Sequence, residues 1–211
     1  MFDHFPFVSV FLALAALTLT PGLDTVLVLR NAARGGVQAG VLTTLGICSG
    51  LFVHGTISAL GLSLILLQSA SLFGWMKFAG ALFLIYLGAQ SLLAAWRGET
   101  LVVETSGTSK LTGLRAFRDG FFTNLLNPKL IVFYMLFLPQ FIDPSSSALP
   151  QALLVAAIHF LLGMIWLSGL AAAVHGARRV FARPLMSRLL NGCAGILLIG
   201  FGGQLAVFER P

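Results

Sequence analysis

The sequence predicts an all-α integral membrane protein with six transmembrane helices, arranged as two inverted three-helix repeats. The first and fourth helices are broken at Pro21-Gly22 and Asn127-Pro128. Three observations predict this. The chain is 57% hydrophobic and 9% charged, with a mean hydropathy of +0.94, more apolar surface than a soluble domain can cover. Six apolar runs, Phe5–Leu29, Val41–Leu67, Leu72–Ala95, Gly120–Leu138, Leu149–Val174 and Leu189–Phe208, each approach the length of about 20 residues that a spanning helix needs. Two of them, at corresponding places in the two halves, are interrupted by a proline beside an ionisable residue, a pattern that points to a binding site at mid-membrane.

The first run carries the first interruption, Thr20-Pro21-Gly22-Leu23-Asp24. Pro21 removes a backbone donor from the helix, Thr20 is placed to cap a new one, and Pro21 suits that helix's first position. Two half-helices meeting inside the bilayer are expected, with the Asp24 carboxylate at the junction. Ala13, Ala15 and Ala16 resemble a signal-cleavage region, but Met1-Phe2-Asp3-His4 lacks the Lys or Arg that opens such a signal, so retention is expected. Gly35-Gly36 should end the second half-helix, with Arg30 and Arg34 one turn apart and reaching toward the headgroups.

The second run is 27 residues long, about 40 Å as a helix, and must tilt or protrude. Gly36, Gly40, Gly46 and Gly50 give it a small-residue face for close helix contact. His54 lies halfway along it, either bonded to a carbonyl, or carrying a proton or contacting substrate. The third run ends at Trp96-Arg97, an interfacial anchor. The polar stretch that follows divides the chain into a first repeat (1–97), a cytoplasmic linker (98–118) and a second repeat (119–211), within one transmembrane domain. In the fourth run Asn124-Leu125-Leu126-Asn127-Pro128-Lys129 repeats the logic of the first break, with Asn127 as cap, Pro128 as first helical residue and Lys129 as the buried charge. His159 is the lone ionisable group of the fifth run. The sixth carries Gly192, Gly195, Gly200, Gly202 and Gly203, and the glycine faces of the second and sixth helices suggest a homodimer.

The net charge of +6 follows helix ends rather than a soluble face, so no nucleic-acid partner is expected. With the first, third and fifth gaps inside, ten basic residues lie in the cytoplasm against Lys77 and Arg210 outside, which places both termini on the outer, periplasmic side. Cys48 and Cys193 lie in separate runs without C-x-x-C spacing and read as small packing residues.

These motifs resemble the LysE/RhtB family of bacterial amino-acid exporters. Pro21-Gly22-Leu23-Asp24 matches the family's Pro-Gly-x-x motif, and Gly36 to Gly50 its glycine-rich second helix. Gly120-Phe121 through Asn124, Asn127, Pro128 and Lys129, followed by Leu-Pro-Gln-Phe at 138–141, matches its most specific segment. Leu23 departs from the pattern, since many relatives have a second proline there. The resemblance spans nearly the whole chain. It implies a multi-pass protein of the bacterial inner membrane that exports amino acids such as homoserine, threonine, leucine or lysine in exchange for protons.

The residues themselves agree with that implication. A zwitterion is held best by one fixed negative and one fixed positive group, and Asp24 and Lys129 supply the pair. Asn124, Asn127 and the half-helix N-termini after Pro21-Gly22 and Pro128 add donors. A charge left in the bilayer costs about 2.5–3.5 kcal/mol, so the resting protein is expected to pair Asp24 with Lys129 directly or through water. Protonation of Asp24 would release a substrate amine, and His54 and His159 are the other candidates for coupling to protons. No cofactor is expected. An intramembrane enzyme would need a nucleophile with its base or an H-E-x-x-H motif, and neither appears. A divalent metal exporter of related architecture is the alternative, although only Asp24, His54, Cys48 and His159 offer ligands and no resident metal site is expected.

Overall fold

The computed structural model describes residues 6–68, 70–98, 113–143, 145–173 and 184–207. Met1, Pro211, most of the 98–118 linker, Lys110, Arg178, Arg179, Arg183, Arg210 and the side chain of Lys77 lie outside the described residues. Every described element is helical: α1 (Phe7–Leu19), α2 (Leu23–Gln68), α3 (Ala70–Arg97), α4 (Gly113–Leu125), α5 (Pro128–Val132), α6 (Ala148–Ala172) and α7 (Pro184–Val207). Leu23–Gly61, Phe78–Arg97 and Ala148–Ala172 are long and apolar enough to cross a membrane. Gly113–Leu125 with Pro128–Phe141, bent by 50° at the second break, makes a fourth when counted as one span.

Gly36 turns the chain within α2. Its φ of 75° and ψ of −178° lie where only glycine is comfortable, so residues 23–35 and 37–68 form two limbs joined at one residue. The first interruption is built differently from the sequence expectation. Thr20 does not cap a new helix. It closes α1, its amide and its Oγ1 both donating to the Ala16 carbonyl, and α2 begins only at Leu23, with Pro21 outside either helix. The second interruption follows expectation: Asn127 caps α5 and Pro128 is its first residue. Beyond α5 the helix widens into a π-helical turn over Phe133–Phe137 and then tightens to a 3-10 turn over Leu138–Phe141.

Lipid tails are as apolar as leucine, so helices in a bilayer associate through close fit rather than hydrophobic burial. The limb 37–68 meets α4 backbone to backbone, where a Cβ on Gly46 would strike the Phe117 carbonyl and one on Gly120 the Thr43 carbonyl. Gly88 of α3 and Gly195 of α7 face each other's carbonyls in the same way. At Gly200 there is open space instead. Gly120→Leu is therefore expected to lower stability by about 1–3 kcal/mol or more, while Gly200→Leu leaves it near parental; thermal unfolding in detergent followed by size exclusion checks both.

The end carrying Arg34 and the start of α4 meet where Gly113 touches Leu42, and Gly98 lies against the Arg188 guanidinium. Arg34, near the Gly36 turn, thus lies on the side of the start of α4, which carries Arg115 and Arg118, and the Arg97 end of α3 lies with Arg188 of α7, with Trp96 exposed beside it.

Candidate functional site

Each proline leaves one carbonyl without its helical donor, and the site grows from how those two carbonyls are satisfied. Pro21 has no N–H, so the Leu17 carbonyl four residues earlier loses its partner. Lys129 Nζ reaches across from the other break and donates to it at 2.8 Å, and to the Thr20 carbonyl at 3.2 Å. A cation at the C-terminal end of α1 is also where the helix dipole favours one. Pro128 likewise strips the Asn124 carbonyl of its donor. The Asn127 amide turns back to it at 3.0 Å and His54 Nε2 donates to it at 3.1 Å.

Asp24 sits in the first turn of α2, at the positive end of that helix. Asn127 bridges the two breaks: its Oδ1 accepts the Lys129 backbone N–H at 3.1 Å, and its Nδ2 donates to Asp24 Oδ1 at 3.5 Å. Of the two forms of pairing expected, direct or through water, the direct one is not made, because the Lys129 ammonium is held by the Leu17 and Thr20 carbonyls. Asp24 and Lys129 attract one another across the space between them.

That space is a cavity of about 40 Å³. Gly22, Asp24, Asn124, Asn127, Lys129 and His159 line it, together with Thr18, Cys48 and Gly163. Pro21, Pro128 and His54 do not, and they act through the backbone they free or cap. The volume suits about three waters, which need some 10–15 Å³ each, and no amino acid. Asn124 is 0% exposed, and its carboxamide, in electrostatic contact with Asp24, makes no well-formed hydrogen bond through either Nδ2 or Oδ1. A buried amide whose hydrogen bonds are incompletely made costs up to about 1–3 kcal/mol, and this one lines the cavity with donor and acceptor capacity to spare.

The structure adds Tyr134, which sequence reasoning missed. Its hydroxyl meets His159 Nδ1 at 3.2 Å, its ring stacks between His54 and His159, and Ser58 Oγ donates to its carbonyl at 2.6 Å. Tyr134 lies one residue into the π-helical turn, and nothing in the apolar run Leu130–Phe137 marks where that turn falls. Cys48 and Thr18 were also missed as lining residues. Among the described residues no three of His, Cys, Asp and Glu gather as a metal site requires.

The sequence matches the model of the LysE type translocator family over residues 15–208. It is 32% identical over 193 residues to the uncharacterized membrane protein YrhP of Bacillus subtilis, covering 89% of this chain and 92% of that protein. It is 30% identical over 191 residues to the homoserine/homoserine lactone efflux protein of Salmonella typhimurium, covering 90% of each. With the uncharacterized membrane protein PA4757 of Pseudomonas aeruginosa it shares 33% identity over 193 residues, 89% of this chain and 88% of that one. No solved structure matches significantly.

Proposed function

We propose, from the premise that this chain belongs to the LysE type translocator family, that it exports a zwitterionic amino acid or a close derivative in exchange for protons. The Salmonella relative named for homoserine and homoserine lactone efflux supports that substrate class. One observation carries the reading: a carboxylate, an ammonium and a carboxamide with hydrogen-bonding capacity to spare, from two different broken helices, line one cavity.

In this reading the substrate amine binds Asp24, and its carboxylate draws Lys129 away from the Leu17 and Thr20 carbonyls. Asn124 bonds whichever end lies nearer. Since the cavity is too small for an amino acid, substrate enters as the half-helices move apart. Asp24 carries the proton, because one carboxylate cannot hold both a proton and an ammonium. That mutual exclusion couples outward amino acid to inward proton. His54, committed to the Asn124 carbonyl, stays outside the cycle.

The architecture we infer is six spans in two inverted repeats, with α1 and residues 23–35 as one broken span and α4 with α5 as its counterpart. Like meets like in support of this: the last helices of the halves touch through Gly88 and Gly195, and the second helices through Cys48 and Gly163. The arginine-bearing end would face the cytoplasm of the bacterial inner membrane. Reporters fused at Met1 and Pro211 are then expected to be active in the periplasm and one inserted in the 98–118 linker in the cytoplasm; the reverse pattern would overturn the orientation. A homodimer through the open face of α7 at Gly192 and Gly200 belongs to the same reading.

Counterflow in proteoliposomes, with a panel of amino acids and divalent cations, tests the proposal. Exchange of at least one neutral amino acid supports it, and exchange of metal ions alone would replace it with the alternative.

A further inference from the structure

We propose that Tyr134 is a positioning residue that fixes His159 as a second donor to the substrate carboxylate, an inference that rests on the export reading above. Tyr134 is 1% exposed, and its hydroxyl has one partner, His159 Nδ1. If Nδ1 carried the proton, the phenol's own hydrogen would be stranded in an apolar interior, at the cost of an unmade hydrogen bond. The phenol therefore donates, Nδ1 accepts, and the imidazole proton sits on Nε2. His159 is also a wall of the cavity that Lys129 lines, and its Nε2 makes no hydrogen bond among the described residues. A fixed N–H is thus presented beside the ammonium, where the carboxylate of an amino acid would lie.

A neutral imidazole fits this place better than a charged one. Lys129 and His54 both lie within Coulombic reach of His159, and the ring is otherwise faced by Tyr134 and the edge of Phe133. A proton taken up here would also favour the substrate carboxylate, so proton and substrate would bind together, the wrong sense for exchange. The π-helical turn contributes the geometry: it sets Tyr134 flat against His159, with the rings 8° from parallel and 6.0 Å apart, while Ser58 takes up the Tyr134 carbonyl.

The test is counterflow of an amino acid that the parental protein exchanges, with KM and maximal rate measured separately. Tyr134→Phe and His159→Leu are each expected to raise KM about tenfold with the maximal rate near parental, the effect of one hydrogen bond to a charged group. His159→Gln, which keeps an N–H donor, should bring KM back to within about threefold, and Tyr134→Phe/His159→Leu should be no worse than His159→Leu, since the tyrosine acts only through the histidine. An unchanged KM in Tyr134→Phe would overturn the proposal while leaving the export reading intact. So would a His159→Gln protein that keeps counterflow but loses efflux driven by a proton gradient, the mark of a proton carrier. Nitrogen NMR of labelled histidine in the parental protein reads the tautomer without any variant: a proton on Nε2 alone is expected, and one on Nδ1 contradicts the assignment.

Discussion

Asp24→Asn is expected to abolish export while the protein still inserts and folds. The substitution keeps size, and an asparagine oxygen can still accept from Asn127 Nδ2, which reaches Asp24 in the structure. What disappears is the charge that holds the substrate amine and the group that exchanges it for a proton. Truncating one partner of a hydrogen-bonded charge pair across a binding interface costs about 2–5 kcal/mol of binding, so amino-acid exchange should fall by about thirtyfold to several-thousandfold. The two roles separate experimentally. Counterflow needs binding without net proton movement, and gradient-driven efflux needs both, so the account requires both to fail. Surviving counterflow with lost efflux would leave Asp24 a proton carrier alone.

Substitution at Lys129 should have an effect of similar size on transport, but the choice of residue matters because the side chain has two jobs. Its ammonium satisfies the Leu17 and Thr20 carbonyls at the end of α1. Lys129→Met strips both, and each orphaned carbonyl costs about 1–3 kcal/mol, so lower thermal stability accompanies the loss of transport. Lys129→Gln retains N–H donors for at least one carbonyl but no charge for the substrate carboxylate. It is expected to stay folded, at a melting temperature between those of Lys129→Met and the parent, with exchange at background. Thermal unfolding in detergent beside counterflow distinguishes the two jobs.

The helical fold was legible because composition and apolar run length are properties of the sequence itself, and so was the meeting of the two breaks. A proline beside a buried charge is costly in a bilayer, and the relief of each break by the other is what that cost leads one to expect. Which groups relieve which was less legible. Pairing of Asp24 with Lys129, direct or through water, followed from charge alone, whereas counting four residues back from Pro21 finds Leu17, whose carbonyl competes for the ammonium. The same count from Pro128 finds Asn124 and gives His54 its partner. Thr20 misled because its hydroxyl serves equally well to cap a following helix or to bond back to Ala16, and local sequence does not choose between them. Tyr134 was invisible for a different reason. Its role depends on a π-helical turn that shifts every later residue around the helix axis, and an unbroken apolar run carries no mark of that shift.

The most direct test of the site is amino-acid counterflow by the double variant Asp24→Asn/Lys129→Gln, measured beside its thermal unfolding. Neutralising both of two buried opposite charges is often tolerated, so this protein should stay folded, with a melting temperature close to that of Lys129→Gln. If the two charges exist to hold a zwitterion, it exchanges no amino acid above protein-free liposomes. If they are only a structural pair, it exchanges at the parental rate, and the assignment of the two breaks as the substrate site is wrong.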